Sequence, residues 1–169
     1  LNGEIVPESE GKVSIRDRGF VYGDAVFDTT RTFGGRIFKL QQHLDRLFDS
    51  LKYMRIDPGM SKERITDLTM QVLDANLPLL DDGDDYWVTQ RFTRGVPRAD
   101  GPPEPTMIIE CTPLPFDARA RYYRDGLPVI TPSVKRTPPE AMSPRAKMHN
   151  YINTVLADLE VKGQNPDAW

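Results

Sequence analysis

The sequence predicts an α+β domain over residues 1 to about 115, followed by the start of a second domain. Two observations carry that expectation. Strand patterns and a hairpin come first, two amphipathic helices follow, and two further strand patterns close the set. A proline-rich crossing then leads into a new segment. The chain has 15 prolines in 169 residues, about 9% against a usual ~5%, and eleven lie between Pro97 and Pro144. No internal repeat is visible.

The elements follow in order. Leu1 to Val6 and Lys12 to Ile15 read as short strands around a turn at Pro7 to Gly11. Gly23 to Phe33 is a longer strand rich in Val, Phe and Thr. Gly34 and Gly35 turn it into Arg36 to Phe38. Lys39 to Met54 is an amphipathic helix, with Leu40, Leu44, Leu47, Leu51 and Met54 forming one stripe at spacings of three and four. Ser61 caps a second helix to about Ala75, with Ile65, Leu68, Val72 and Leu73 on its buried face. Tyr86 to Thr93 and Thr106 to Thr112 are strands separated by a Gly/Pro/Arg-rich loop. Leu127 to Lys135 reads as a bent strand or strand pair. Thr137 to Pro144 cannot be regular helix. A last helix starts near Tyr151 and closes at Gly163.

Composition excludes several functions. Lys+Arg is 22 and Asp+Glu is 25, a formal charge of −3, so there is no electrostatic case for nucleic acid or an anionic membrane. No run of about 18 apolar residues is present. The single cysteine, Cys111, excludes an internal disulfide and a Cys-based zinc site, and fits a reducing compartment; a cytoplasmic location is the expectation. The acidic stretch Asp81 to Asp85 is too short for a calcium loop, so no metal is expected. There is no P-loop and no GxGxxG, and His43 and His149 are too far apart in sequence to argue a triad. Cys111 lies in an apolar strand and reads as packed.

Lysine, arginine and aromatic chemistry remain. Lys147 stands between the irregular segment Pro138 to Arg145 and a helix. A lysine held at such a junction can point its amine into a cleft. Beside other cations, and away from water, it offers a neutral amine. Such an amine can form a Schiff base with an aldehyde cofactor and then shuttle a proton. Spacing alone also allows an ordinary surface lysine.

Arg18-Gly-Phe-Val-Tyr-Gly-Asp-Ala-Val-Phe-Asp28, His43-Leu-Asp-Arg-Leu47, Thr93-Arg-Gly and Lys147-Met-His-Asn-Tyr151 occur in this order. Together they resemble the fold-type IV, or class IV, pyridoxal-phosphate enzymes. That family includes branched-chain aminotransferases, D-amino-acid transaminases, (R)-amine transaminases and aminodeoxychorismate lyase. The resemblance covers nearly the whole chain. It implies a small α+β N-terminal domain (residues 1–115), an interdomain linker (116–122), and the beginning of a larger α/β cofactor-binding domain (123–169). On this view 169 residues are about half of a two-domain enzyme. The acidic partner of the pyridine nitrogen, about thirty positions beyond the lysine, would fall past Trp169.

The resemblance also implies roles. Lys147 forms the Schiff base with pyridoxal 5′-phosphate and moves the proton between the substrate alpha carbon and the cofactor. Arg46 binds the cofactor phosphate, which suits a guanidinium fork; taken alone it is a solvated helix position. Tyr151 matches a tyrosine that hydrogen-bonds the cofactor's phenolic oxygen, though it also reads as a core aromatic. It stands one residue nearer the lysine than in branched-chain members. The Lys147-to-Asn150 spacing is more like the D-amino-acid and lyase members.

The resemblance also places Tyr22, Phe27 and Asp28 at the pocket-lining strand of the family pattern. Thr89 falls where the family varies with substrate. Arg94 and Arg98 lie in a loop that resembles the carboxylate-trapping loop of D-amino-acid transaminases, with Asp100 where that pattern has histidine. Both arginines also read as surface-loop residues.

The implied activity is transfer of an amino group between an amino acid or amine and a 2-keto acid, in a homodimer. Two rivals stand beside it. One is a lyase of the aminodeoxychorismate type. The other is a non-catalytic interaction module with the same fold.

Overall fold

A computed structural model describes residues 1–169. The chain forms two compact units, Leu1–Leu114 with Arg145–His149, and Pro115–Pro144 with Asn150–Trp169.

The first unit is built on an antiparallel sheet. Its strands are β1 (Ala25–Phe33), β2 (Arg36–Ile37), β3 (Tyr86–Thr93) and β4 (Met107–Pro113), in the order β2-β1-β3-β4. Gly34 (φ 56) and Gly35 (φ 74) form the two-residue turn from β1 to β2 that the sequence predicts. The helices are α1 (Arg18–Tyr22), α2 (Leu40–Met54) and α3 (Lys62–Asn76).

Period-two alternation decides which face of the sheet is covered. Val26, Asp28, Thr30 and Thr32 of β1 are buried. The register Asp28↔Gln90 and Val26↔Phe92 puts Val88, Gln90 and Phe92 on the same side. The helices pack on this side. Leu44, Leu47 and Leu51 from α2, and Ile65, Leu68 and Leu73 from α3, are all buried. Each such side chain contributes about 1.5–3 kcal/mol of burial. Ser61 caps α3 as expected, accepting from Arg64 N at 3.3 Å.

The other face carries Phe27, Thr29 and Arg31 of β1, Trp87, Thr89 and Arg91 of β3, and Ile108 and Glu110 of β4. It is polar and aromatic. Thr29 Oγ1 and Thr89 Oγ1 lie 3.0 Å apart across the ladder, and Arg91 Nε donates to Glu110 Oε1 at 3.0 Å.

Two buried carboxylates tie the loops to this sheet. Asp17 accepts from Gly19 N (2.7 Å), Thr93 Oγ1 (2.8 Å) and Thr106 Oγ1 (2.7 Å). Asp24 accepts from Arg94 Nε (2.7 Å), Arg94 Nη2 (3.0 Å) and Arg18 Nε (2.9 Å). Arg94 also donates to the carbonyls of Met54 (2.7 Å) and Arg55 (2.9 Å), which the end of α2 leaves unpaired. Gly95 follows with φ 78, and a Cβ there would collide with the Glu104 carbonyl, so only glycine fits.

The N-terminal strands do not form. Asn2 (φ 52) and Gly3 (φ 92) turn the chain, and a 3₁₀ turn occupies Glu8–Glu10. Positive φ at two successive residues breaks an extended run. Asn2 instead holds one point of the sheet edge, donating N–H to Met107 O (2.9 Å) and accepting from Met107 N (2.8 Å).

The second unit contains α4 (Phe116–Asp125) and α5 (Ile152–Gln164). Residues 116–122, expected as a linker, lie within α4. Leu127 to Lys135 is not a strand; Pro128 and Pro132 lack the N–H donors a ladder needs. It is held by Trp169, which accepts from Ile130 N (2.8 Å) and donates to Pro128 O (2.9 Å), and by Glu160, which accepts from Ser133 N (2.8 Å) and Oγ (2.9 Å).

Burial raises the Asp24 carboxyl, but hydrogen bonds from Arg94 and Arg18 outweigh it and hold it below the usual range. A depressed folded pKa stabilises above the unfolded value, about 4, and is lost as pH falls through the folded value. Asp24→Asn is therefore expected to cost about 3 kcal/mol at pH 7. The gap to wild type should shrink below about pH 4. Urea denaturation at pH 7 and pH 3 checks both.

Candidate active site

β2 pairs with only the far end of β1, at Thr32 and Phe33, so the near end of β1 has a free edge. Residues Lys147–His149 occupy it. Phe27 N donates to Lys147 O (3.0 Å), His149 N donates to Ala25 O (3.0 Å), and Val26 and Met148 form an antiparallel bridge. The alternation of β1 therefore extends to this segment. Met148 shares the covered face with Val26 and is buried. Lys147 and His149 share the open face with Phe27.

The side chains meet there. Lys147 Nζ lies 4.1 Å from the Phe27 ring centroid, and the His149 ring packs edge-on to Phe27 at 5.2 Å. Arg91 also stands over that ring, at 5.4 Å. Burial first, then the Arg91 guanidinium, push His149 below the ordinary imidazole range, with Glu110 opposing. Its Nε2 is buried and has no hydrogen-bond partner. The result is a lysine amine beside an aromatic face and a neutral imidazole.

Helix α2 supplies the second half. His43, Arg46 and Ser50 recur at spacings of three and four, one helix face. Ser50 Oγ donates to Arg46 O (2.9 Å) and accepts from Lys147 N (3.0 Å). That hydroxyl joins the phosphate-arginine candidate to the lysine segment across 97 positions of sequence. Arg46 Nε and Nη2 grip Asp28 Oδ2 (2.6 Å) and Oδ1 (2.8 Å). Asp28 raises the Arg46 pKa through these bonds. Half of the Arg46 side chain is exposed (50%), whereas Asp28 is fully buried.

The structure thus brings Lys147, Phe27, Arg46 and Thr89 onto one body. Asp28 turns to the covered face, opposite Phe27, because adjacent strand residues point in opposite directions. Arg94 commits its donors to Asp24 and to α2. Arg98 is half exposed and meets only Glu104, at 3.5 Å. Tyr22 ends α1, largely exposed, with Arg18 5.0 Å from its ring. Tyr151 is the N-cap residue of α5, in the second unit. Cys111 is pushed up to about 11 by burial, so it is no nucleophile at neutral pH. Sequence reasoning missed Ser50 and His149.

The amino-transferase class IV model matches residues 25–169, most of the chain and every element described above except the Glu8–Glu10 turn and α1. The chain belongs to the class IV aminotransferases. Among class IV relatives, it is 37% identical over 166 residues to a putative branched-chain-amino-acid aminotransferase of Methanocaldococcus jannaschii. That match covers 95% of this chain and 54% of the relative. The fold resembles a branched-chain aminotransferase of Thermoproteus uzoniensis with norvaline, at a TM-score of 0.79 and 21% identity, over 97% of this chain and 55% of that one. It also resembles a hypothetical aminotransferase of Mycobacterium tuberculosis in its PLP-bound form, at a TM-score of 0.78 and 22% identity, over 95% and 56%. The chain spans about half the length of the curated relative.

Ser50→Ala removes the hydroxyl that accepts from Lys147 N, at a cost of about 1–3 kcal/mol. Hydrogen exchange at the Lys147 amide is expected to quicken by about tenfold or more, with the α3 core amides unchanged. Equal exchange in both proteins contradicts the link.

Proposed function

We propose that this chain provides the small domain and the start of the large domain of a pyridoxal-phosphate-dependent transaminase, with Lys147 seated on the small-domain sheet. The amino group passes between an amino acid or amine and a 2-keto acid. The placement of Lys147 carries this proposal: its backbone is paired to β1, and its amine lies on the open face beside Phe27.

The residues fit the cofactor. Lys147 Nζ is a nucleophilic amine, and Arg46 keeps N–H donors beyond the two that Asp28 uses. Bound there, pyridoxal phosphate supplies an aldehyde and a ring that draws electrons from the bond to be broken.

The protein's part is positioning and proton transfer. Lys147 Nζ would hold the cofactor and would move a proton at the substrate alpha carbon. The paired backbone and the Phe27 ring restrict its amine, so little orientational freedom is lost on reaction. Arg46 holds the phosphate, and Tyr151 hydrogen-bonds the phenolic oxygen as its motif implies.

Phe27, Thr89 and Tyr22 line the substrate side. Arg98 receives the substrate carboxylate. Its exposed pair with Glu104 contributes only about 0–1 kcal/mol, so exchanging it for substrate costs little. Arg94 and Asp28 serve the framework. The working unit is a homodimer, as the motif set implies.

Visible absorbance of the full chain with added pyridoxal phosphate tests the proposal. A new band is expected in wild type and none in Lys147→Ala. An amino donor alone should remove the band, and a keto acid should restore it. A band that survives Lys147→Ala contradicts the lysine's role. A band that returns without keto acid contradicts transamination and favours a lyase.

A further inference from the structure

Arg46 lies on a helix surface, where an arginine samples many rotamers. In this structure it does not float. The alternation of β1 turns Asp28 onto the helix side of the sheet, fully buried, and α2 carries Arg46 directly above it. The contact is two-pronged: Nε to Oδ2 at 2.6 Å and Nη2 to Oδ1 at 2.8 Å. His43, one turn earlier, places Nδ1 2.8 Å from the same Oδ1. Two bonds to one planar carboxylate fix the plane of the guanidinium, not only its position.

We infer that Asp28 is a positioning residue for phosphate recognition by Arg46. The inference rests on the cofactor proposed above. Asp28 touches neither substrate nor cofactor. It acts through Arg46, with His43 as a second donor that pins the carboxylate. Two of the five guanidinium N–H groups are spent on Asp28, Nη2 also lies 3.4 Å from His43 Nδ1, and the Nη1 donors remain for phosphate oxygens. Because Asp28 offsets part of the arginine's charge, directed hydrogen bonds, rather than bare charge, must select the phosphate. Ser50 then sets the distance, bonding the Arg46 carbonyl and the Lys147 amide with one hydroxyl.

A plain clamp between α2 and β1 would look the same in a structure but differ in selectivity. Pyridoxal has the reactive aldehyde without the phosphate. In the full chain, titration by visible absorbance gives the affinities for pyridoxal phosphate and for pyridoxal. Asp28→Asn keeps the size but presents an amide to the guanidinium. It is expected to lower the preference for pyridoxal phosphate over pyridoxal by about tenfold, with pyridoxal itself little changed. Inorganic phosphate should compete with pyridoxal phosphate in wild type and about tenfold less well in the variant.

Arg46→Lys keeps the charge without the fork. It is expected to lose the same preference, and adding Asp28→Asn to it should change the preference no further. Should Asp28→Asn fail to fold, Arg46→Lys decides alone: full preference in that variant overturns the inference. Equal weakening of both ligands by Asp28→Asn also overturns it, leaving a structural clamp. A wild-type chain that forms the band but does not prefer the phosphorylated ligand sinks the role of Arg46 and this inference with it. No band in wild type sinks the proposed function.

Discussion

Two backbone hydrogen bonds organise the site, Phe27 N to Lys147 O and His149 N to Ala25 O. They add three residues from late in the chain to the free edge of β1. Once Met148 faces the core with Val26, strand geometry leaves one orientation for its neighbours. Lys147 and His149 must then share the open face with Phe27. The position of the amine is thus a consequence of register, and register is set by burying one methionine.

The other constraints converge on the same two elements. Helix α2 packs its leucines against β1 and carries Arg46 and Ser50 on the side facing the lysine segment. Asp28 sits buried between β1 and α2. Asp24, three residues before Phe27, is clamped by Arg94, which also closes the end of α2. The buried carboxylates therefore flank the stretch of β1 that receives Lys147. Removing one partner from such a pair leaves an uncompensated charge and costs more than an exposed pair contributes. That asymmetry concentrates rigidity near the amine and leaves the Arg98 loop free to exchange its weak contact with Glu104.

Much of this was legible in the sequence. The leucine stripe of α2, the Ser61 cap and the Gly34-Gly35 turn are local patterns, and they form as expected. Lys147 and Arg46 stood out through their motifs. Other features depend on pairing that no local pattern encodes. Ser50 looks like one more polar helix residue until Lys147, 97 positions away, is placed against it. The alternation of Lys147, Met148 and His149 was a readable signal for an edge strand, masked by the prolines before it. Phe27 and Asp28 both read as pocket lining from their motif, yet adjacent strand residues cannot share a face. The Leu1 to Val6 strand does not form because Asn2 and Gly3 adopt positive φ, which hydrophobic alternation does not report.

On the proposed function, strand pairing places the Lys147 amine, and no other lysine, where a carbonyl cofactor is captured. Borohydride reduction of the full chain loaded with pyridoxal phosphate, followed by peptide mapping, tests it most directly. The added mass is expected on one peptide, at Lys147, with the Lys39, Lys52 and Lys135 peptides unmodified. Labelling centred on another lysine, or spread evenly among them, would contradict it.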